Sequence, residues 1–170
     1  MKQKTAVISI NASWNIVNFR RGLVAGLQDS GFRVVALAPP DEYSPRLAEL
    51  GVEFQPIEID KQGVSPRQDL MLMWRYYRAL KSIRPDVFLG YTAKPNIYGS
   101  IAAHLLGIPV INNVSGLGTA FMKKGPLRWI VERHMVEQPY RSIALEQVPT
   151  VLPVYQQYAR TLEKLGYNAV

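Results

Sequence analysis

The sequence predicts an α/β domain built on a parallel sheet. Five short apolar runs rich in β-branched residues recur along the chain, and segments with helical spacing separate them. Alternation of strands and helices is the pattern of a sheet whose parallel strands are joined by crossover helices. Ligands of such sheets bind at the carboxyl ends of the strands. The loops that follow the strands are therefore the first places to look for a site.

The first strand is predicted at "TAVISI" (5–10), and one helix is predicted in "WNIVNFRRGLVAGLQDSG". Four apolar residues of this helix recur at helical spacing: Ile16, Phe19, Leu23 and Leu27. Gly31 is expected to follow the helix at the C′ position, where a left-handed conformation suits glycine. "RVVALAP" then predicts a second, buried strand.

Three more strands complete the predicted sheet. "SPRLAELG" predicts a short helix, and "VEFQPIEI" predicts a third, more exposed strand. A long helix is expected in "SPRQDLMLMWRYYRALKSIRPD", with Ser65 as its N-cap, Pro66 at its first position and a stop near Pro85. "DVFLGY", "NIYGSIAAHLLG" and "IPVINNV" supply the last strand, helix and strand.

Composition limits the classes of function. The 170 residues are 48% hydrophobic and 19% charged, which suits one domain with a real core. The chain has no cysteine and only two histidines, His104 and His134. A disulfide framework, a thiolate metal site and a multi-histidine metal centre are therefore excluded. No metal and no cofactor is expected to bind this chain.

Charge and hydropathy bear on partners and location. The net charge of +7 favours an anionic partner, such as a phosphorylated ligand or an acidic membrane surface. No apolar run approaches the roughly 20 residues of a membrane span, and "MKQKTAVISI" has too short an apolar core for a signal peptide. We expect a cytoplasmic protein, with peripheral binding to the inner face of the cell membrane as a further expectation.

The loop after the first strand, "NASWNIVNFRRG", contains no glycine before Gly22. A dinucleotide site needs Gly-x-Gly-x-x-Gly there, so a hydride-transfer enzyme is not expected. The loop instead offers polar and flat groups that suit a sugar or a phosphorylated acceptor: Asn11, Ser13, Trp14, Asn15, Asn18 and Arg20. The alternative is that Asn15 or Ser13 caps the helix while Trp14 packs under the loop.

The loop after the fourth strand holds Tyr91, Thr92, Lys94, Pro95 and Asn96. Proline suits the first helical position, which makes Lys94 the expected N-cap residue. Lysine has no acceptor for the free N–H groups of a helix start. A phosphate or carboxylate satisfies both these N–H groups and the ammonium, which predicts an anion site. The alternative is that Lys94 points into solvent while Thr92 or water caps the helix.

The loop after the fifth strand, "INNVSGLGTAFMKKGPLRW", places Gly116 and Gly118 beside Ser115 and Thr119. These glycines serve either a turn with positive φ or the presentation of backbone N–H groups to a ligand. Residues 121–133 interleave apolar and basic side chains. This composition suits a surface that touches anionic lipid headgroups, or a core helix with a solvated face. No nucleic-acid module and no continuous basic stripe is present, so no nucleic-acid partner is expected.

Three stretches together are recognisable: "SWNIVNFRRGLVAGLQDSGFRVVALAPPDEYSPRLAELGVEF", "IEIDKQGVSPRQDL" and "RPDVFLGYTAKPNIYGSIAAHLLGIPVINNVSGLGTAF". They resemble the N-terminal domain of family 4 glycosyltransferases of bacterial surface-polysaccharide synthesis, over roughly residues 5–125. The resemblance implies a Rossmann-like parallel sheet with helices on both faces, as the N-terminal half of a GT-B enzyme. It also implies a polyprenyl-diphosphate-linked saccharide as acceptor, a nucleotide-sugar donor in the full enzyme, and retention of anomeric configuration without a metal.

The resemblance also assigns places to site residues. It puts the segment from Asn11 to Asn18 near the transferring sugar, and Lys94 with Asn96 on the acceptor side. Ser115 occupies, with Gly116 and Gly118, the place where many family members carry a histidine, which makes Ser115 the catalytic candidate. His104 is expected to be a packing or surface residue.

Domain organisation follows from the same resemblance. Residues 1–125 are expected to form the N-terminal domain, and residues 126–170 a helical tail that completes it. The family's Glu-x7-Glu donor motif does not occur in the chain, so we expect the donor-binding domain to be absent and this chain to be inactive alone. The leading hypothesis is an acceptor-binding domain in O-antigen, capsule or exopolysaccharide synthesis. The alternative is a non-catalytic binding protein for a lipid-linked sugar, or a subunit of a split glycosyltransferase.

Overall fold

The computed structural model describes residues 3–59 and 66–113. These residues form a parallel sheet in the order β3-β2-β1-β4-β5. Its strands are β1 (Thr5–Ser9), β2 (Arg33–Ala38), β3 (Glu53–Pro56), β4 (Val87–Tyr91) and β5 (Val110–Asn113). Every strand pair is parallel. The predicted fold class, a Rossmann-like parallel sheet with helices on both faces, is confirmed.

Four α-helices lie in the described residues: α1 (Ser13–Phe19), α2 (Arg21–Asp29), α3 (Pro66–Ile83) and α4 (Ser100–Leu105). The segment Ser44–Leu50 is a 3-10 helix, and a π-helical turn, Pro95–Gly99, leads into α4. Pro66 is the first residue of α3, as predicted. The predicted N-cap, Ser65, lies outside the described residues.

The prediction of a single helix after β1 is wrong, because the structure has two helices there, separated at Arg20. Arg20 has φ −123° and ψ 10°, outside the helical region, and separates α1 from α2. Its N–H still donates to the carbonyl of Ile16 (3.0 Å), and its own carbonyl accepts from Val24 (2.9 Å). Both helices pack on the same core, so the apolar periodicity continues through the break. The sequence pattern therefore gives no sign of it. Gly31, with φ 83°, ends α2 as predicted.

Helices cover both faces of the sheet. On one face α1, α2 and the 3-10 segment pack on a core that includes Ile8, Leu23 and Leu47. On the other face α3 and α4 pack on a core that includes Tyr76 and Phe88. All residues of β1 and β4 are buried, as expected for central strands of a parallel sheet. Among the described helices, none has the length and hydropathy needed to cross a bilayer.

Candidate functional site at the carboxyl edge of the sheet

Strands β1, β4 and β5 end side by side at one edge of the sheet. The register pairs Ser9 with Gly90 and Tyr91 with Asn113. Asn11 and Thr92 each follow the Ser9–Gly90 pair by two residues, so the loops after β1 and β4 leave the sheet at neighbouring positions. The structure therefore brings together two of the three predicted site loops. The third, with Ser115, Gly116 and Gly118, lies outside the described residues, and its roles stay predictions.

Arg20 and Tyr91 connect these two loops. The Arg20 guanidinium carbon lies 4.7 Å from the centroid of the buried Tyr91 ring, a cation–π distance. One terminal nitrogen of Arg20 donates to the carbonyl of Phe19 at 3.2 Å. The Nε atom of Arg20 is buried, and the described residues give it no hydrogen-bond acceptor. The break between α1 and α2 thus places a partly satisfied guanidinium at this edge.

The helix after β4 begins earlier than predicted. Lys94 has helical dihedral angles (φ −66°, ψ −46°), and the Asn96 N–H donates to the carbonyl of Thr92 at 3.0 Å. The first helical turn therefore opens at Thr92, which has φ 68°. Lys94 directly precedes the π-helical turn that starts at Pro95, as predicted, but its dihedral angles are helical and not those usual for a cap residue. A left-handed threonine at a helix start cannot be read from the sequence.

Lys94 pairs with an acid on α3. Its Nζ lies 3.3 Å from Oδ1 of Asp69, and 21% of the Lys94 side chain and 9% of the Asp69 side chain are exposed. The Tyr98 hydroxyl also donates to the Asp69 carboxylate. Burial raises the pKa of Tyr98 above its usual value, and the hydrogen bond to Asp69 and its negative charge raise this pKa further. Lys94 is thus held in place by Asp69, and the interpretation of it as an idle solvent-pointing side chain is not supported.

A pair of asparagines fills the space over the end of β4. Asn96 is fully buried, and its Nδ2 donates to the carbonyl of Asn113 at 3.0 Å. Oδ1 of Asn112 accepts from the hydroxyl of Ser100 at 2.9 Å. A Cβ atom on Gly90 would lie 2.5 Å from Asn96 Oδ1 and 2.6 Å from Asn112 Oδ1. Only glycine leaves room for both carboxamides at this position.

Buried polar atoms without a hydrogen-bond partner are concentrated here. Among the described residues, these atoms are Arg20 Nε, Asp69 Oδ1, Thr92 Oγ1 and Asn96 Oδ1. Asp69 Oδ1 has Lys94 as its ion-pair partner. Burial of an unsatisfied polar group costs about 1–3 kcal/mol, and such groups call for an explanation. A donor on Arg20 and acceptors on Thr92 and Asn96 match a ligand with hydroxyl and phosphate groups.

Ser13 makes its hydrogen bonds within the fold. It is fully buried, its N–H donates to Asp41 Oδ2 at 2.6 Å, and its hydroxyl lies 3.0 Å from that of Ser44. Asp41 Oδ2 also accepts from the Trp14 N–H at 3.4 Å. A carboxylate from the loop after β2 therefore caps α1. The alternative that Ser13 or Asn15 caps α1 is wrong, because Ala12 holds the N-cap position without a side-chain capping bond. Asp41 is the capping residue that sequence reasoning missed, and a ligand contact by Ser13 stays a prediction.

The remaining residues of the first loop differ in exposure. Trp14 does not pack under the loop, because it is 41% exposed and stacks edge-to-face on Phe19 at 5.1 Å. Asn18 donates from Nδ2 to the carbonyl of Trp14 at 2.8 Å, one turn back in α1. Asn11 and Asn15 are half-buried. Ligand contacts by these four residues stay predictions.

Asp69 is the second residue of the site that sequence reasoning missed. It is the only acidic residue of α3, and this was a signal that could have identified it. His104 is exposed on α4, as expected of a surface residue. Within residues 3–59 and 66–113, no group of three acidic or histidine side chains is arranged to hold a metal ion.

Known proteins resemble this chain in sequence and in fold. It is 28% identical over 116 residues to the N,N'-diacetylbacillosaminyl-diphospho-undecaprenol alpha-1,3-N-acetylgalactosaminyltransferase of Campylobacter jejuni, an alignment that covers 68% of this chain and 31% of the relative. Acinetobacter baumannii MurG shares its fold with a TM-score of 0.53 and 24% identity, over 64% of this chain and 33% of MurG. The chain thus spans about a third of the length of these proteins.

A third similar protein extends the fold beyond transferases. A UDP-N-acetylglucosamine 2-epimerase homologue from Listeria monocytogenes superimposes with a TM-score of 0.57 and 11% identity, over 79% of this chain and 38% of that chain. At such identities the solved structures show the shared fold alone. The family itself is shown by sequence. The model of the glycosyl transferase 4-like domain matches residues 16–169, and the chain therefore belongs to this family of glycosyltransferase domains.

Proposed function

We propose that this chain binds the acceptor of a glycosyl transfer, a polyprenyl-diphosphate-linked saccharide. A second domain or a partner chain presents the nucleotide-sugar donor to it. The transfer is a retaining hexosyl transfer in the synthesis of a surface polysaccharide. The protein works in the cytoplasm, at the inner face of the cell membrane.

The observation that carries the proposal is the combination of Lys94 with unsatisfied buried polar atoms at one edge of the sheet. The Lys94 ammonium is partly exposed and fixed by Asp69, which suits a contact with a diphosphate. Within the described part of the chain, the donor Arg20 Nε and the acceptors Thr92 Oγ1 and Asn96 Oδ1 have no hydrogen-bond partner. The name of the Campylobacter jejuni relative, which describes transfer to a diphospho-undecaprenol-linked sugar, supports an acceptor of this kind.

The contribution of this domain to catalysis is positioning. In the transfer, the bond from the anomeric carbon to the nucleoside diphosphate breaks and a bond to the acceptor oxygen forms. The proton of the acceptor hydroxyl passes to the departing diphosphate. Orientation of the two reactants supplies a large part of such an acceleration. The acceptor side requires a fixed cation and fixed hydrogen-bonding groups. Ser115 is our candidate for a group that contacts the reacting sugar.

Acceptor binding can be tested by titration calorimetry with farnesyl-diphosphate-linked N-acetylglucosamine and with free N-acetylglucosamine. The informative variant is Asp69→Asn/Lys94→Met, which removes both charges while the introduced asparagine retains an acceptor for Tyr98. We expect it to bind the diphosphate-linked sugar about 10- to 100-fold more weakly, the range of a charge-assisted contact. Free sugar should bind both proteins equally.

A matched control removes another ion pair. Arg33 and Glu53 pair at 3.3 Å, and they are the first residues of β2 and β3, at the opposite edge of the sheet. Arg33→Met/Glu53→Gln should leave the affinity unchanged. Equal affinity of the Asp69→Asn/Lys94→Met variant and the wild type would contradict the proposal.

Transfer itself needs a separate assay. The chain is incubated with a panel of nucleotide sugars and the same acceptor, with and without a separately expressed donor-binding domain of a family member. Product that depends on both polypeptides supports the transferase. Acceptor binding without product under any combination would instead favour a non-catalytic binding protein.

A further inference from the structure

Helix α3 has two different faces. Its inward face is buried and consists of Asp69, Leu72, Tyr76 and Leu80. Large apolar side chains lie exposed on the outward face: Leu70 (63% exposed), Met71 (46%) and Trp74 (55%), with Leu105 of α4 (68%) beside them. These four are most of the six large, exposed apolar residues in the described part of the chain. Together with Met73 and Tyr77 they line an open groove of about 750 Å³.

Cationic side chains frame the same face. Arg67 lines the groove, the Arg78 guanidinium stacks 4.7 Å from the centroid of Trp74, and Lys81 lies 5.7 Å from the ring centroid of Tyr77. The spacing 67, 70, 74, 78, 81 keeps these residues on one side of the helix. We call the outward set of Arg67, Leu70, Met71, Trp74, Arg78 and Lys81 the α3 stripe.

The α3 stripe contains no carboxylate. Asp69 is the only acidic residue of α3, and its side chain is directed inward to Lys94. Glu58 lies nearby, but it pairs with Arg75 at 2.6 Å. Exposed apolar side chains flanked by cations are the composition of a surface that binds anionic lipid, because the apolar groups enter the acyl boundary while the cations contact phosphates.

We propose that the α3 stripe is the docking surface of this protein for an anionic lipid bilayer. The net charge of +7 complements such a surface. The position of the stripe also fits the candidate site, because Leu70 directly follows Asp69, which holds Lys94. A bilayer that contacts the stripe would lie on the outward face of α3, one helix diameter (~10 Å) from the cation proposed to bind a lipid-linked diphosphate. The inference rests on the proposed function, but its test uses no acceptor. A failure of bilayer binding can therefore be distinguished from a failure of acceptor binding.

The first experiment is cosedimentation of the full chain with vesicles. Phosphatidylcholine vesicles are compared with vesicles that also contain phosphatidylglycerol. We expect binding to the anionic vesicles that falls with added salt, and loss of that binding in Leu70→Ser/Trp74→Ser. Both substituted side chains are exposed, so the variant should keep the circular dichroism spectrum of the wild type.

Arg78→Gln should weaken binding to anionic vesicles about fivefold, as expected for one basic residue near an anionic surface. Arg46→Gln is the matched control, because Arg46 is also an exposed arginine stacked on an aromatic ring, 5.5 Å from the centroid of Tyr43. It belongs to the 3-10 segment, which packs on the other face of the sheet. Equal losses in the two variants would indicate an effect of net charge alone and would overturn the assignment to α3.

The second experiment places Trp74 in the bilayer. Tryptophans occur at positions 14, 74 and 129, so Trp14→Phe/Trp129→Phe leaves Trp74 as the only indole. Vesicles with brominated acyl chains should quench its fluorescence. Absence of binding or of quenching overturns the proposal. Concentration-dependent self-association in sedimentation velocity, without vesicle binding, would show that a second copy covers the stripe and would also overturn it.

Discussion

The Lys94 ammonium lies 3.3 Å from the Asp69 carboxylate and joins the loop after β4 to the first turn of α3. Its charge is balanced within the fold, and its position is set by an acid from another element. A ligand phosphate would therefore share Lys94 with Asp69 rather than meet a free cation.

Loss of one partner of this pair should destabilise the protein. Lys94→Met leaves the Asp69 carboxylate buried without a cation, and removing one member of a buried pair costs about 3–5 kcal/mol. Since Lys94 is 21% exposed, we expect a cost near the lower end of that range. Asp69→Asn/Lys94→Met should recover most of it. Urea unfolding of the two single variants and the double variant measures the coupling, and additive losses would contradict it.

Asp69→Asn should raise the affinity for inorganic pyrophosphate. The variant leaves the Lys94 charge without a carboxylate beside it, and the neutral asparagine retains an acceptor for the Tyr98 hydroxyl. We expect binding to tighten by about threefold to tenfold, within the range of a charge-assisted contact. Titration calorimetry at constant ionic strength is the measurement. Unchanged or weaker binding would show that Lys94 does not contact the diphosphate.

Arg20→Met should weaken acceptor binding with little change in the stability of the fold. The Arg20 Nε is buried, and no described residue accepts from it. Its removal should therefore change the free energy of unfolding by less than about 1 kcal/mol. Acceptor affinity should fall about tenfold, as one charge-assisted contact is lost. Arg21→Met is the control, since Nε of Arg21 already donates to the carbonyl of Val17 at 2.6 Å. Similar affinities of the two variants would exclude Arg20 from the site.

Gly90→Ala should disturb the asparagine pair over β4. The added methyl group would meet Asn96 Oδ1 at 2.5 Å and Asn112 Oδ1 at 2.6 Å. Overpacking of this kind costs about 1–3 kcal/mol, and displacement of Asn96 should also weaken acceptor binding. Gly31→Ala is a control without such a contact, although its φ of 83° carries its own strain. Thermal unfolding and calorimetry of both variants provide the comparison, and unchanged acceptor affinity of Gly90→Ala would separate Asn96 from binding.

Stability should fall at alkaline pH, in part through Tyr98. Its pKa in the fold lies above the ordinary value of 10.0 because of burial and of Asp69. The folded state therefore keeps this proton after the unfolded chain releases it, and stability declines as pH rises past 10.0. Tyr98→Phe should decline less steeply between about pH 9 and pH 11. Tyr43→Phe serves as the control, and equal slopes for wild type and Tyr98→Phe in urea unfolding would rule out this linkage.

The sheet and its carboxyl edge were predictable because they depend on local signals. Apolar runs fix the strands, Gly31 marks a helix end through its conformational freedom, and Pro66 marks a helix start. These signals reside in neighbouring residues. They are enough to predict that the loops after β1 and β4 meet at one edge.

The details of the site were less predictable because they depend on contacts distant in sequence. The capping of α1 by Asp41 and the pairing of Lys94 with Asp69 join different elements, and no local pattern reports either. The break at Arg20 is hidden because the apolar period continues through it. The left-handed Thr92 moves the helix start by a conformation that its residue type disfavours.

The charge balance between Lys94 and Asp69 also bears on selectivity inside a cell. Free phosphate and nucleotides are abundant there, and an unpaired lysine at this edge of the sheet would attract them without discrimination. A lysine that already has a carboxylate partner attracts these anions less strongly than an unpaired lysine would. Stable occupancy then requires a ligand that gains energy from several sources at once, such as diphosphate, sugar hydroxyls and a lipid chain. The pair would thereby lower the affinity of the site for free phosphate and nucleotides.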